Sequence, residues 1–105
     1  MAYQKVLDAL SEPRRREILQ ALRAAPLSVK EIAQTQPISR PAVSQHLRVL
    51  EAANLVGASS RGTSRIYHIR REGLEELRQW LDGFWDDALS AYGAEVMRQM
   101  EADDG

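Results

Sequence analysis

"SRPAVSQHLRVLEAANLV", running from Ser39 to Val56, is the stretch on which the fold turns. Ser39 is a helix N-cap, and Pro41 falls in the first turn, where a missing N–H does little harm. Val43, Leu47 and Leu50 follow at i, i+4 and i+7, the spacing of one buried helix face. Asn54 is a residue that stops a helix well. On a wheel of about 100° per residue, Leu47 and Leu50 lie within roughly 40° of Val43, whereas Pro41, Ser44, Gln45 and Arg48 fall between roughly 100° and 200°. The outward face therefore carries a small hydroxyl, an amide and a guanidinium, with Ser39 and Arg40 at its tip. No carboxylate joins them before Glu51.

Such a face suits the major groove of DNA, which admits a helix when the leading side chains are small. Gln45 can pair bidentately with adenine and Arg48 with guanine. The helix N-terminus and the Ser39 hydroxyl suit a phosphate. The competing reading is an ordinary surface helix, but those mix Glu with Lys, and this face does not. His46 sits near the border of the core on the same wheel, where a histidine is more often structural than a base reader.

Working outward, Tyr3, Val6, Leu7 and Leu10 predict a first helix face. Ser11, Glu12 and Pro13 mark a new start, and Ile18, Leu19 and Leu22 line a second helix that runs to about Ala24 and is ended by Pro26. Arg14, Arg15 and Arg16 open that helix, where some of them are expected to make structural salt bridges rather than touch DNA. Ser28 and Glu31 form a capping box, opening a short helix with Val29, Ile32 and Ala33 inward. Beyond Asn54 the period changes: "LVGASSRGTSRIYHIR" predicts a hairpin, Leu55–Ser60 against Ser64–Arg70, around a turn at Gly62. Its tip holds Arg61, Thr63 and Arg65, which can reach a phosphate or the minor groove or else simply face water. From Glu72 to about Met100 a long helix carries an apolar stripe of Leu74, Leu77, Leu81, Phe84, Trp85, Ala88, Leu89, Tyr92 and Val96. Gly83 and Gly93 weaken it slightly.

The predicted class is mostly α with a β-hairpin wing, a winged helix-turn-helix. One domain fills residues 1–105: a DNA-binding body and wing at 3–71, a long C-terminal helix at 72–100, and a frayed tail at 101–105. A chain of 105 residues suits a single modest core, and the absence of cysteine removes disulfides, thiolate metal sites and cysteine nucleophiles together. No apolar run spans a bilayer and no signal peptide is evident, so the expected location is cytoplasmic, without membrane contact. The net charge of -1 hides a division. Residues 1–71 hold 12 Lys and Arg against 5 Asp and Glu, a net of +7, and residues 72–105 hold 2 against 10, a net of -8. A basic body fits a polyanion partner, and also fits an unevenly charged solvated surface.

The quoted stretch closely resembles the recognition-helix motif of the ArsR family of bacterial winged-helix repressors. "LSEPRRREIL" resembles that family's second-helix opening and "RGTSRIYHI" its wing, so the likeness covers Val6 to about Ile69. It is nearer to the metal-independent members, some of which share a "FWDDAL"-like helix such as Phe84–Leu89. The resemblance implies a homodimer that binds an inverted-repeat operator in or near its own promoter and represses transcription. Double-stranded DNA and a second copy are the implied partners, and any small-molecule effector is unknown. Dimerisation would use the first and last helices, through Tyr3, Val6, Leu7, Leu10, Leu77, Leu81, Phe84, Trp85, Ala88 and Tyr92, with the three aromatics Phe84, Trp85 and Tyr92 as anchors. The alternative is that the long helix only folds back over its own body, though nearly 30 residues would span about 40 Å.

The chain departs from the metal-sensing members. Their Cys-rich box is here "LSVKEIAQ", and the last helix offers Asp82, Asp86, Asp87 and Glu95 but no histidine, a poor zinc or copper set. No metal and no cofactor is expected. A second functional class is a winged-helix module that docks proteins through its acidic last helix. An enzyme is not expected: there is no nucleophile–base pair and no glycine-rich phosphate loop, and adjacent carboxylates such as Glu75 and Glu76 point about 100° apart.

Overall fold

The computed structural model describes residues 2–104. In chain order it comprises α1 (Ala2–Leu10), α2 (Pro13–Ala24), β1 (Leu27–Ser28), α3 (Val29–Thr35), α4 (Arg40–Ala52), β2 (Val56–Arg61), β3 (Ser64–Ile69) and α5 (Arg71–Asp104). This is a mostly helical winged helix-turn-helix. The strand β1 was not expected: it pairs antiparallel with β3, Leu27 against Tyr67 and Ser28 against Ile66, to give the order β1-β3-β2. Two residues are too few to show a period, and Ser28 reads more strongly as a helix cap.

Local chemistry fixes each boundary. Glu12 caps α2 by accepting from the Arg14 N–H at 3.1 Å, with Pro13 in the first turn. Ser28 and Glu31 satisfy one another: the Ser28 N–H donates to Glu31 Oε1 at 2.9 Å and the Glu31 N–H to Ser28 Oγ at 3.2 Å. Helix α4 ends at Asn54, whose φ of 58° is left-handed. There the Leu55 N–H donates to the Leu50 carbonyl and the Asn54 N–H to the Glu51 carbonyl, both at 3.0 Å, which is the double bond of a Schellman motif. Leu50 and Leu55 are both fully buried. So Leu55 closes the helix, and the hairpin starts one residue later than expected and ends at Ile69. Gly62, with φ +62° at the first central position of a two-residue loop, suits a type II′ turn.

The core is drawn from every element of the body: Val6, Ile18, Ile32, Val43, Leu47, Leu50, Leu55 and Val56 are fully buried, with Tyr67 beside them. Each large aliphatic contributes about 1.5–3 kcal/mol relative to exposure. The assignment of Val6 to a dimer surface is corrected here. It has no exposed area in the protomer, because it points from α1 into this core.

In the arginine run, Arg14 makes an ion pair, to Glu17 at 2.7 Å, as expected of some of the three; among the described residues Arg15 and Arg16 make none and bind backbone instead. Arg16 donates to the Leu10 carbonyl at 2.6 Å, and Arg15 to those of Ala9 at 2.7 Å and Asp8 at 3.3 Å. These are the orphan carbonyls at the end of α1, where a cation is favoured.

Helix α5 continues to Asp104, past the end expected near Met100; Gly105 lies outside the described residues. At 34 residues it is about 51 Å long, and it draws the molecule out to 73 × 24 × 22 Å. Only its first turns meet the body. Gly73 passes so close to the end of α4 that a Cβ there would lie 2.4 Å from the Ala53 carbonyl oxygen. Leu77 packs on the core, and Trp80 stacks between Tyr3 and Phe84 at 5.2 and 5.7 Å. The helix does not fold back over the body: past Trp80 its large apolar side chains are exposed.

Candidate nucleic-acid interface

Three elements build one concave face. The outer side of α4 forms its ridge, the N-terminus of α3 lies to one side, and β3 closes it. Between them runs a groove of about 520 Å³ lined by four cations, Lys30, Arg40, Arg48 and Arg65, and one carboxylate, Glu51. Arg65 stands 3.9 Å from Glu51, so the only negative side chain in the groove is already matched. The same guanidinium lies over the Tyr67 ring, 5.6 Å from its centroid, and that contact holds it along β3.

Gln45 and Arg48 are exposed and make no side-chain hydrogen bond or ion pair among the described residues. Ser44 is half-buried beside them and Pro41 is exposed. Val43, Leu47 and Leu50 turn the opposite face inward, so packing of the core fixes which side chains α4 presents. The Ser39 hydroxyl accepts from the Ala42 N–H at 3.3 Å. As a cap it keeps its own O–H free to donate outward.

The first turn of α4 does not balance its helix dipole in the usual way: it has no acidic residue and begins with Arg40. A cation at a helix N-terminus opposes the macrodipole by a few tenths to about 1 kcal/mol, and an external anion would relieve it. In α3 the first turn holds Glu31, which meets the dipole, and Lys30 stands beside it on the groove. Lys30 was missed in the sequence because the adjacent capping box explained that stretch.

The wing residues do not act as one cluster. Arg61 pairs with Ser64 in register and Arg65 with Ser60, so the two arginines lie on opposite faces of the hairpin. Arg65 faces the groove. Arg61 is exposed on the other side, close enough to Glu31 to help hold that carboxyl below its ordinary value, although the larger causes are the Ser28 N–H and hydroxyl. Thr63 sits exposed in the turn. His46 is half-buried, its Nδ1 3.5 Å from Arg15 Nη1, which fits a structural role.

Of the remaining expected surface residues, Leu10 and Leu77 are partly buried against the core, while Tyr3 stacks on Trp80. Leu7, Leu81, Phe84, Trp85, Ala88 and Tyr92 are exposed. Trp80, Met97 and Met100 join this apolar surface without having been singled out in the sequence. Among the described residues, no group of three or more His, Cys, Asp and Glu side chains could hold a metal ion, and no helix is long and apolar enough to cross a membrane.

Comparison with known proteins meets this geometry. Residues 12–57, from the cap of α2 to the start of β2, match the model for bacterial regulatory proteins of the arsR family. The chain is 48% identical over 85 residues to the HTH-type transcriptional regulator Rv2034 of Mycobacterium tuberculosis, covering 81% of this chain and 79% of that one. It is 30% identical over 79 residues to the transcriptional repressor SdpR of Bacillus subtilis, covering 75% and 88%. In three dimensions it is similar to the homodimeric winged helix-turn-helix DNA-binding domain Mb0332 of Mycobacterium bovis, with TM-score 0.67 and 28% identity over 84% of this chain and 82% of that one. A polar ridge set against a cationic groove, on a scaffold shared with these regulators, has one assignment: the chain belongs to the ArsR family and is a transcriptional regulator with a DNA-binding winged helix-turn-helix.

Proposed function

We propose that the protein is a homodimeric repressor that lays α4 of each protomer into successive major grooves of an inverted-repeat operator, in or near its own promoter. The observation that carries this reading is the unpartnered Gln45 and Arg48 on the ridge of α4, beside a groove with four cations. In it, Gln45, Arg48 and Ser44 read base edges. Arg40, Pro41 and the Ser39 hydroxyl meet the near phosphates at the tip of α4. Arg61, Thr63 and Arg65 follow the backbone from the wing.

Dimer formation is supported by the uncovered face of α5. Phe84, Trp85 and Tyr92 are 61%, 63% and 69% exposed, which is uncommon for three neighbouring aromatics on a lone protomer. With Leu7 and Leu81 they form a self-complementary patch on α1 and α5, as a two-fold interface requires. The similar Mb0332 domain is homodimeric and the similar SdpR is a repressor, in keeping with both halves of the proposal.

A band-shift titration against the gene's own upstream region tests it. Arg48→Ala is expected to cost about 1–3 kcal/mol and to relax preference at one base position. No preference for that region over random duplex would refute operator binding. A tight complex with another protein in place of DNA would favour docking through the acidic α5 instead.

A further inference from the structure

A second cleft lies on the other flank of α4. It occupies about 380 Å³ between α1, α2 and α4, within the size range of small-molecule sites. Its floor is apolar: Ala9 from α1, with Val49, Ala52 and Ala53 from α4. Its rim carries Lys5, Arg15 and Arg48, with Asp8 the single carboxylate. Among the described residues none of those three cations enters an ion pair. Arg15 is pinned by the Ala9 and Asp8 carbonyls, which orient its charge without cancelling it. Asp8 takes a hydrogen bond from Gln4 at 3.0 Å.

Arg48 lines both this cleft and the DNA-facing groove. On the α4 wheel it stands at roughly 140°, between Ser44 and Glu51 on the wing side and Val49 and Ala52 on the α1 side. Its long, unpartnered side chain can serve either flank, not both. Val49 is apolar and 39% exposed on the flank of α4, and Ala52 beside it is exposed as well. The cleft is also apart from the α5 surface. On α1, Tyr3, Leu7 and Leu10 occupy the arc that faces α5, and Lys5, Asp8 and Ala9 the opposite arc.

We propose that this cleft binds an amphipathic organic anion, a carboxylate or sulfonate on a compact apolar body, and that the bound anion releases DNA by drawing Arg48 away from the groove. The net positive rim selects the head group and the alanine–valine floor selects the body. The regulatory half rests on the DNA reading of Arg48; the binding half does not.

The test uses the fluorescent probe anilinonaphthalene sulfonate on the full chain. Wild-type protein is expected to give saturable binding of one probe per protomer. Val49→Glu, which puts a negative charge on the floor, should weaken it about tenfold or more, and Lys5→Gln less. Fluorescence anisotropy of a labelled upstream duplex should then show the probe raising the Kd for DNA about tenfold in wild type and little in Val49→Glu. Lys5→Gln, a surface change on α1, keeps the test valid should Val49→Glu disturb α4. Probe affinity unchanged in both variants would mean the dye sits elsewhere, and would overturn the site. Lys5→Gln weakening DNA affinity would mark the cleft as a phosphate contact and overturn it too. Bound probe with unchanged DNA affinity would overturn the antagonism alone. Variant-sensitive probe binding by a protein indifferent to DNA would leave the site standing and remove the regulatory reading.

Discussion

Replacing Gly73 by alanine would strike the joint between α4 and α5. A Cβ at this position would sit 2.4 Å from the Ala53 oxygen, 2.9 Å from the Asn54 oxygen and 3.0 Å from the Asn54 carbonyl carbon. All three atoms are backbone, and they belong to the Schellman turn that ends α4, so no side chain can swing aside. Reaching ordinary contact requires α5 to withdraw by about 1 Å, and overpacking of this kind costs about 1–3 kcal/mol. The withdrawal also stretches the 3.0 Å bond from the Gly73 N–H to the Asn54 carbonyl, worth about 0.5–1.5 kcal/mol. Alanine returns up to about 1 kcal/mol through helix propensity. The net expectation is a loss of about 1–3 kcal/mol, a fall in Tm of about 5–20 °C in a thermal melt followed by circular dichroism at fixed protein concentration. Gly83→Ala is the internal comparison. Nothing lies within 4 Å of a Cβ there, so it should hold or raise Tm. A Gly73→Ala protein as stable as wild type would refute the close approach of α5 to α4.

Lys30→Ala should weaken binding to all duplexes alike and lower the log–log salt slope by about 0.9, as expected for one phosphate contact, in salt titrations of DNA affinity. Trp85→Glu should convert the dimer to protomers in sedimentation velocity, since it sets a charge into the exposed aromatic patch; an unchanged sedimentation coefficient would count against α5 as the interface. Glu31 supplies a pH test. Its folded carboxyl lies below its ordinary value, first through the Ser28 N–H. Its charge therefore stabilises the fold above the ordinary carboxylate range, and that contribution is lost as pH falls through the lowered value. Glu31→Gln keeps the cap geometry and drops the charge, so its Tm should trail wild type near neutral pH and converge with it in acid.

The body was legible where sequence chemistry is local. Ser28–Glu31, Ser39, Asn54 and Gly62 each announce a boundary through a side chain or a backbone preference that acts within a few residues. The ridge of α4 was legible because three apolar residues fix the orientation of the rest. What depends on tertiary contact was not. Strand β1 exists only because β3 lies beside it. Arg15 and Arg16 look like ion-pair partners until the end of α1 is brought against α2. Val6 looks like interface until α1 docks. Trp80 falls outside the stripe, and its place becomes clear only from its stacking on Tyr3 and Phe84. Arg61 and Arg65 read as neighbours at one tip, and strand alternation sends them to opposite faces.

The separation of charge along the 73 Å axis has a kinetic consequence. A body of net +7 joined to a helical arm of net -8 is a strong permanent dipole, and a duplex exerts a torque on it before contact. Collisions are thereby biased so that the basic body arrives first while the acidic α5 trails. Little of the diffusional search is then spent in useless orientations, and this gain shrinks as salt shortens the reach of the field.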